Sequence, residues 1–190
     1  MKKRTAPRII AGKLRGIRLK SLSGNQTRPI TDRVKENLFN IIGADIQDCF
    51  FLDAFSGTGS VGLEAYSRGA NFVQFIEKNR ASFQILEKNV TYIDNANAYD
   101  LKLGDAFSFL KSTQGYSFDY IFIAPPQYKL MWEKALTFLD ENPKLLKADG
   151  WLIFQVDPIE YKTMSPLNFE EFDLRKYGST LLIFFKPTNS

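Results

Sequence analysis

The stretch Leu52–Ala65, LDAFSGTGSVGLEA, decides how this chain is read. Gly57, Gly59 and Gly62 have the spacing of a nucleotide-binding turn. They lie between an apolar run that reads as a strand (FFLDAF, 50–55) and one that reads as a helix (VGLEAYSRG, 61–69). Three glycines alone fit NAD as well as other adenosine ligands. Asp53 separates the two cases, because a carboxylate at the strand end, four residues before Gly57, repels a pyrophosphate and attracts a cation. S-adenosylmethionine (SAM) is such a cation: it has a sulfonium and an ammonium, no phosphate, and a need for glycines where the backbone must approach closely.

Toward the C-terminus the same alternation continues. NFVQFIE (71–77) reads as a strand, ASFQILEKNVTYI (81–93) as a helix, YDLKLGD (99–105) as a strand and AFSFLKS (106–112) as a short helix. FDYIFIA (118–124) is a further strand, residues 129–147 are helical with a break at Pro143, and WLIFQVD (151–157) is a strand. This order predicts an α/β, Rossmann-like fold with a mostly parallel sheet covered on both faces. FDLRKYGSTLLIFFK predicts a terminal hairpin, turning at residues 177–179, that adds an antiparallel strand.

Two more acids end strands in this reading. Glu77, twenty residues after Gly57, is placed for a ribose diol, which suits NAD equally. Asp105 either accepts from an adenine amine or caps the next helix. With Asp53 they put three carboxylates at the C-terminal ends of three successive strands, where open parallel sheets bind ligands. The next strand runs into FIAPPQYK (122–129). Pro125 and Pro126 donate no ladder hydrogen bond and hold the rim extended. Carbonyls near Ala124 and Pro125 can accept from an amine, and Tyr128 offers either a stacking surface or a core side chain.

The N-terminal part differs in charge. Residues 1–35 hold eleven Lys or Arg against Asp32 as the only acid, while the rest of the chain has fourteen basic and twenty acidic residues. Such asymmetry predicts a polyanion-binding arm, with nucleic acid as partner and a solvated tail as the plain alternative. RIIAGKLRGIRLKSL alternates apolar and basic residues and predicts a β-hairpin or meander with a cationic face. TRPITDRVKENLFNIIG then predicts a helix capped by Thr31 and closed by Gly43, with Val34, Leu38, Ile41 and Ile42 on one face and Arg33 and Lys35 off it. The expected division is an arm over 1–30 and a catalytic domain over 31–190.

Composition removes several classes of chemistry. The 190 residues contain no histidine, which excludes His bases and His-containing zinc sites, and no metal is expected. One cysteine, Cys49, allows no internal disulfide and suits a reducing compartment. No apolar stretch is long enough to span a membrane, so a soluble, cytoplasmic, monomeric protein is expected.

RIIAGKLRGIRL, TRPITDRVKENLFNII, FLDAFSGTGSVGLEAYSRGA with FIEKN, the GDA at Gly104, FDYIFIAPPQY and RKYGST together resemble the RsmD-type family of 16S rRNA guanine-N2 methyltransferases. The likeness spans nearly the whole chain. It implies a SAM pocket formed by Asp53, Phe55, Gly57, Thr58, Gly59, Glu77, Lys78, Asp105 and Ala106. It also implies a catalytic rim at Ala124, Pro125, Pro126, Gln127 and Tyr128. RNA, free or in a small-subunit ribosomal particle, would be gripped by Arg8, Lys13, Arg15, Arg18, Lys20, Arg28 and Arg33. The family pattern at the rim is Asp-Pro-Pro followed by an aromatic. Here Ala124 replaces the acid and the aromatic comes one residue late. Losing one charge-assisted acceptor weakens catalysis by roughly 2–3 kcal/mol, and the Gln127 side-chain oxygen is a candidate substitute. Alternatives are a SAM- and RNA-binding module without catalysis, or an amine methyltransferase for another base or a protein glutamine.

Overall fold

The computed structural model describes residues 6–22, 30–112, 117–126 and 131–188. Arg28, Gln127 and Tyr128 lie outside the described residues. The first helix, α1 (Asp32–Ile42), starts where Thr31 Oγ1 accepts from Val34 N at 3.3 Å and ends at Gly43, whose φ of 67° suits glycine. From there strands and helices alternate: β1 (Phe50–Asp53), α2 (Ser60–Arg68), β2 (Phe72–Glu77), α3 (Arg80–Val90), β3 (Tyr99–Leu103), α4 (Ala106–Ser112), β4 (Phe118–Ile123) and α5 (Met131–Glu141). The chain finishes with β5 (Leu146–Val156), β6 (Phe169–Tyr177) and β7 (Thr180–Pro187). Among the described residues, no helix is long and apolar enough to cross a membrane.

The strands form one sheet in the order β3-β2-β1-β4-β5-β7-β6, parallel from β3 through β5, with β7 antiparallel to both of its neighbours. The Rossmann-like reading of the sequence holds. β7 sits inside the sheet because Leu181–Phe185 is buried on both faces, whereas β6 alternates buried and exposed residues and can face solvent as the edge. Strand order reverses between β1 and β4, which opens the crevice in which parallel sheets hold ligands.

Alternation along the strands separates two cores. Phe51, Phe75, Phe122, Ile153 and Phe184 pack with Val34 and Leu38 of α1, Leu63 of α2 and Leu86 of α3. On the other face, Leu52, Ile121, Phe154 and Phe185 pack with Phe107 of α4 and Trp132, Leu136 and Leu139 of α5.

Two local expectations change. The helical pattern to residue 147 stops at Glu141; Pro143 opens a single 3-10 turn, and β5 begins at Leu146 instead of Trp151, because Leu146 pairs with Phe118. The basic arm folds back on itself as a short hairpin: Arg8 bridges Arg18 antiparallel, Ile9 N donates to Ile17 O at 2.9 Å, Gly16 N to Ile9 O at 2.9 Å and Leu19 N to Pro7 O at 2.8 Å. Other N–H groups of the arm seat it on α2: Ile10 and Ala11 donate to the Glu64 carboxylate at 2.8 and 3.0 Å, and Leu14 donates to Ser67 Oγ at 2.9 Å. Lys35, expected off the apolar face, is 1% exposed. Its ammonium is 3.3 Å from Glu64 and donates to Arg8 O at 2.7 Å and Ser60 Oγ at 3.0 Å, so a charge paired on all sides replaces an apolar contact.

Candidate active site

The glycine turn is built by hydrogen bonds from both sides. Ser56 N donates to Ile76 O and Ser56 Oγ to Asp53 O, while Ile76 N donates to Ser56 Oγ; β1 and β2 are thereby stitched at their ends. Gly59 N donates to Ser56 O at 2.8 Å and Gly59, with φ of 86°, begins α2. A Cβ at Gly62 would lie 2.3 Å from the Phe75 ring, so this glycine lets the helix rest on the sheet. A Cβ at Gly57 would meet nothing within 4 Å: here the backbone borders open space, as a cradle for a ligand requires.

The three strand-end acids meet around that turn. Asp53 is 1% exposed, and its Oδ2 accepts from Gly62 N at 3.0 Å. Burial pushes its pKa up to about 7; the Gly62 N–H opposes this and the neighbouring Glu77 charge adds to it. Glu77 accepts from Gly57 N at 2.7 Å and from Asn79 N at 2.6 Å, one bond to each oxygen. Each oxygen retains a lone pair for a hydroxyl. Burial raises the Glu77 pKa against these backbone N–H groups. Gly104 N donates to Glu77 O at 3.0 Å, which ties the β3 exit to the β2 exit. Asp105 caps α4: its Oδ1 accepts from Ser108 N at 3.1 Å, and its Oδ2 lies 3.7 Å from the exposed Lys78 ammonium. Burial works against the charged form of Asp105, but the Ser108 hydrogen bonds and Lys78 outweigh it and hold its pKa below the usual range. The cap expected as one of two roles is thus present.

The other residues named for this pocket divide. Phe55 packs edge-on against Phe107 at 6.3 Å, and Ala106 is buried at the start of α4. Thr58 O accepts from Asn89 Nδ2 at 2.8 Å. On the opposite side of the crevice, Ala54 N donates to Phe122 O at 3.0 Å and binds the β1 exit to β4. Ala124 is partly buried against the core of α1–α3, Pro125 is buried and Pro126 exposed. Among the described residues, no group of His, Cys, Asp or Glu could hold a metal.

The arm reaches this turn at two points. Asn89 accepts from Lys20 N at 2.9 Å and donates to Lys20 O at 2.9 Å, with the remaining amide hydrogen on Thr58 O. Lys35 joins Arg8 O to Ser60, the first residue of α2. Arg8, Lys13, Arg15, Arg18, Lys20 and Arg33 are exposed. Arg8 and Arg18 are cross-strand neighbours, and like charges at that spacing repel unless countered. Asp32 counters Arg8 at 2.7 Å, and the Lys13 ammonium lies 3.6 Å from the centre of the Tyr66 ring. Among the described residues, Arg15, Arg18, Lys20 and Arg33 form no ion pair, leaving four cations for a polyanion.

Sequence reasoning missed Ser56, Asn89, Glu64 and Gln155. The first three act through backbone groups distant in the chain and leave no local pattern. Gln155 had a signal, an amide inside the apolar strand WLIFQVD. Its Oε1 is buried and accepts no hydrogen bond among the described residues, whereas Gln74, another glutamine within the sheet, donates to Asp100 O at 3.1 Å.

Residues 7–186 match the family model described as Conserved hypothetical protein 95. The Ribosomal RNA small subunit methyltransferase D of Escherichia coli K12 is 38% identical over 153 residues, covering 80% of this chain and 75% of that protein. The protein of the same name from Haemophilus influenzae is 38% identical over 137 residues, 71% of each chain. Among solved structures, the yhhF methyltransferase of Escherichia coli superposes with a TM-score of 0.84 at 29% identity, covering 96% of this chain and 98% of that one.

Proposed function

Since the chain belongs to the Conserved hypothetical protein 95 family, which includes the small-subunit methyltransferases D, we propose that it transfers a methyl group from SAM to the N2 amine of a guanine in small-subunit ribosomal RNA. SAM supplies a methyl group on a sulfonium, made electrophilic by that positive charge. The residues present suit it. Asp53 offers a buried negative charge beside the crevice, Glu77 has free lone pairs for ribose hydroxyls, and the loop at Gly57 borders open space. Asp105, with its Oδ2 free of backbone donors, faces the adenine amine in this reading. Ala124 to Pro126 form the rim on which the amine is held, with Gln127 and Tyr128 continuing it.

The observation that carries the RNA target is the attachment of the arm to the glycine turn. Lys20 and Thr58 share Asn89, and Arg8 and Ser60 share Lys35, so cations on the arm are held at a constant distance from the donor pocket. Phosphate contacts then supply affinity and salt dependence, and an unpaired guanine placed in the crevice supplies the choice of base. The protein acts as a monomer in the cytoplasm in this reading.

The test is incubation of the recombinant protein with SAM and unmethylated small-subunit particles, followed by nucleoside analysis of the RNA. N2-methylguanosine is expected at one site. Its absence at stoichiometric enzyme overturns the assignment, and methyl-adenosine in its place transfers the activity to another base.

A further inference from the structure

An amine that is methylated must present its lone pair to the donor, so its two hydrogens need acceptors on the protein. Among the described residues at the rim of β4, Ala124 presents a methyl, which accepts nothing. An acceptor lies one strand away. β4 and β5 are parallel with Ile123 beside Phe154, and continuing that register puts Ala124 beside Gln155, about 4.8 Å away between strands. Ile153 and Ala124 both pack on the core of α1–α3, and alternation puts the Gln155 side chain on that same face. A glutamine side chain is one methylene longer than an aspartate, enough to extend from β5 toward the space above Ala124.

The amide is also in an unusual state. Oε1 of Gln155 is buried without a hydrogen-bond partner among the described residues, while the residue as a whole is only partly buried. A buried acceptor without a donor destabilises the protein that carries it, and a ligand N–H relieves that cost. Rotation about the terminal side-chain torsion is broad, so the oxygen turns to the crevice with little resistance. Asp53 is level with Phe122 and Ile153, so Gln155 stands two strands across and two residues further along, about 12 Å by sheet geometry, which leaves room between them for the donated methyl and the amine that takes it.

We propose that Gln155 is the side-chain acceptor for the substrate's exocyclic amine, in place of a carboxylate at position 124. This rests on the guanine-N2 reading above. In the step it serves, the nitrogen lone pair forms the N–C bond to the methyl carbon. The C–S bond breaks with both electrons on sulfur, leaving a neutral thioether, and one amine proton passes to water. An amide oxygen is too weak a base to keep that proton; Gln155 orients the amine and confers preference for bases with an amine at this position.

The experiment compares wild type, Gln155→Met, Ala124→Asp and the double variant in two assays. The first is single-turnover methylation of unmethylated small-subunit particles. The second is equilibrium binding, with S-adenosylhomocysteine present, of a single-stranded 12-mer RNA bearing one guanine and of its twin with inosine, which lacks the N2 amine. Gln155→Met is expected to slow methyl transfer roughly tenfold to hundredfold, with unchanged SAM affinity and a raised melting temperature, and to erase the preference for guanine over inosine. Ala124→Asp is expected to restore the rate in the Gln155→Met background and to add little in wild type, since both side chains serve the same hydrogen. Gln155→Met with wild-type rate and preference, or wild type binding the two RNAs equally, overturns the assignment of Gln155 while leaving the methyltransferase reading in place if particles are methylated. Wild type that methylates no guanine in the particles overturns both.

Discussion

The seat of the basic arm and the crevice at the strand ends both contain buried carboxylates, yet they are finished differently. Glu64, 0% exposed, receives N–H bonds from Ile10 and Ala11, the Arg68 guanidinium at 2.8 Å and the Lys35 ammonium at 3.3 Å. All its neighbours are supplied by the chain itself. Asp53 is equally buried but, among the described residues, has one backbone donor at its carboxylate and no cation, and its pKa is pushed up to about 7 by burial. The Gln155 oxygen has no hydrogen-bond partner among the described residues. The first arrangement is complete without a ligand and holds the fold together. The second is not, and in the proposed reading the SAM cation meets Asp53 and the substrate amine meets Gln155.

The contrast is broken most severely by Glu64→Ala. It leaves Lys35 buried with no anion, and burial already lowers the Lys35 pKa against Glu64's opposing pull. A loss of about 3–5 kcal/mol is expected, seen as a lower urea midpoint, with faster proteolysis of the arm. At the incomplete site, Glu77→Gln should leave the fold nearly intact but replace one acceptor oxygen by a donor facing Gly57 or Asn79. SAM binding measured by calorimetry should weaken by about 1.5–3 kcal/mol, and a variant binding as wild type would remove Glu77 from the pocket.

Asp53 sharpens the comparison through pH. Its folded pKa lies above the ordinary carboxylate value, so its contribution to stability is fully present below about pH 4 and is lost as pH rises toward 7. Binding of a cation runs in the opposite direction, because it needs the ionised form. SAM affinity should therefore fall by up to roughly tenfold for each pH unit below about 7, with proton release on binding detectable in buffers of different ionisation enthalpy. A flat profile between pH 5.5 and 8 would mean that the carboxylate does not meet the cation. The smallest effect belongs to the arm surface: Arg15→Ala or Lys20→Ala should each lower the salt slope of RNA binding by about one without altering SAM affinity.

The crevice was more legible in the sequence than the arm. Asp53, Glu77 and Asp105 each follow an apolar run and precede a helix, so strand ends and charge could be read together; Asp53 and Glu77 bond to the turn, and Gly104 ties the strand that carries Asp105 to Glu77. The arm's charge and its hairpin pairing were legible, and its seat on α2 was not. Gly12, with φ of 81°, packs so closely on α2 that a Cβ would lie 1.8 Å from Ser67 O. The N–H groups of Ile10, Ala11 and Leu14 bond there to Glu64 and Ser67, partners far along the chain. Lys35 fell outside the apolar face because helical periodicity counts charge as polar and does not foresee a buried partner.

Local chemistry in the sequence determined the sheet's parallel order, its antiparallel end, the carboxylates at the strand ends and the absence of an acid at Ala124. Each depends on residue type and short spacing, which backbone geometry turns directly into position. Tertiary structure alone decided that β7 lies inside β6, that the arm is joined to the glycine turn through Asn89 and Lys35, and that Gln155 stands beside Ala124 without a partner. These depend on which groups remain unpaired after folding, a quantity that no local window contains.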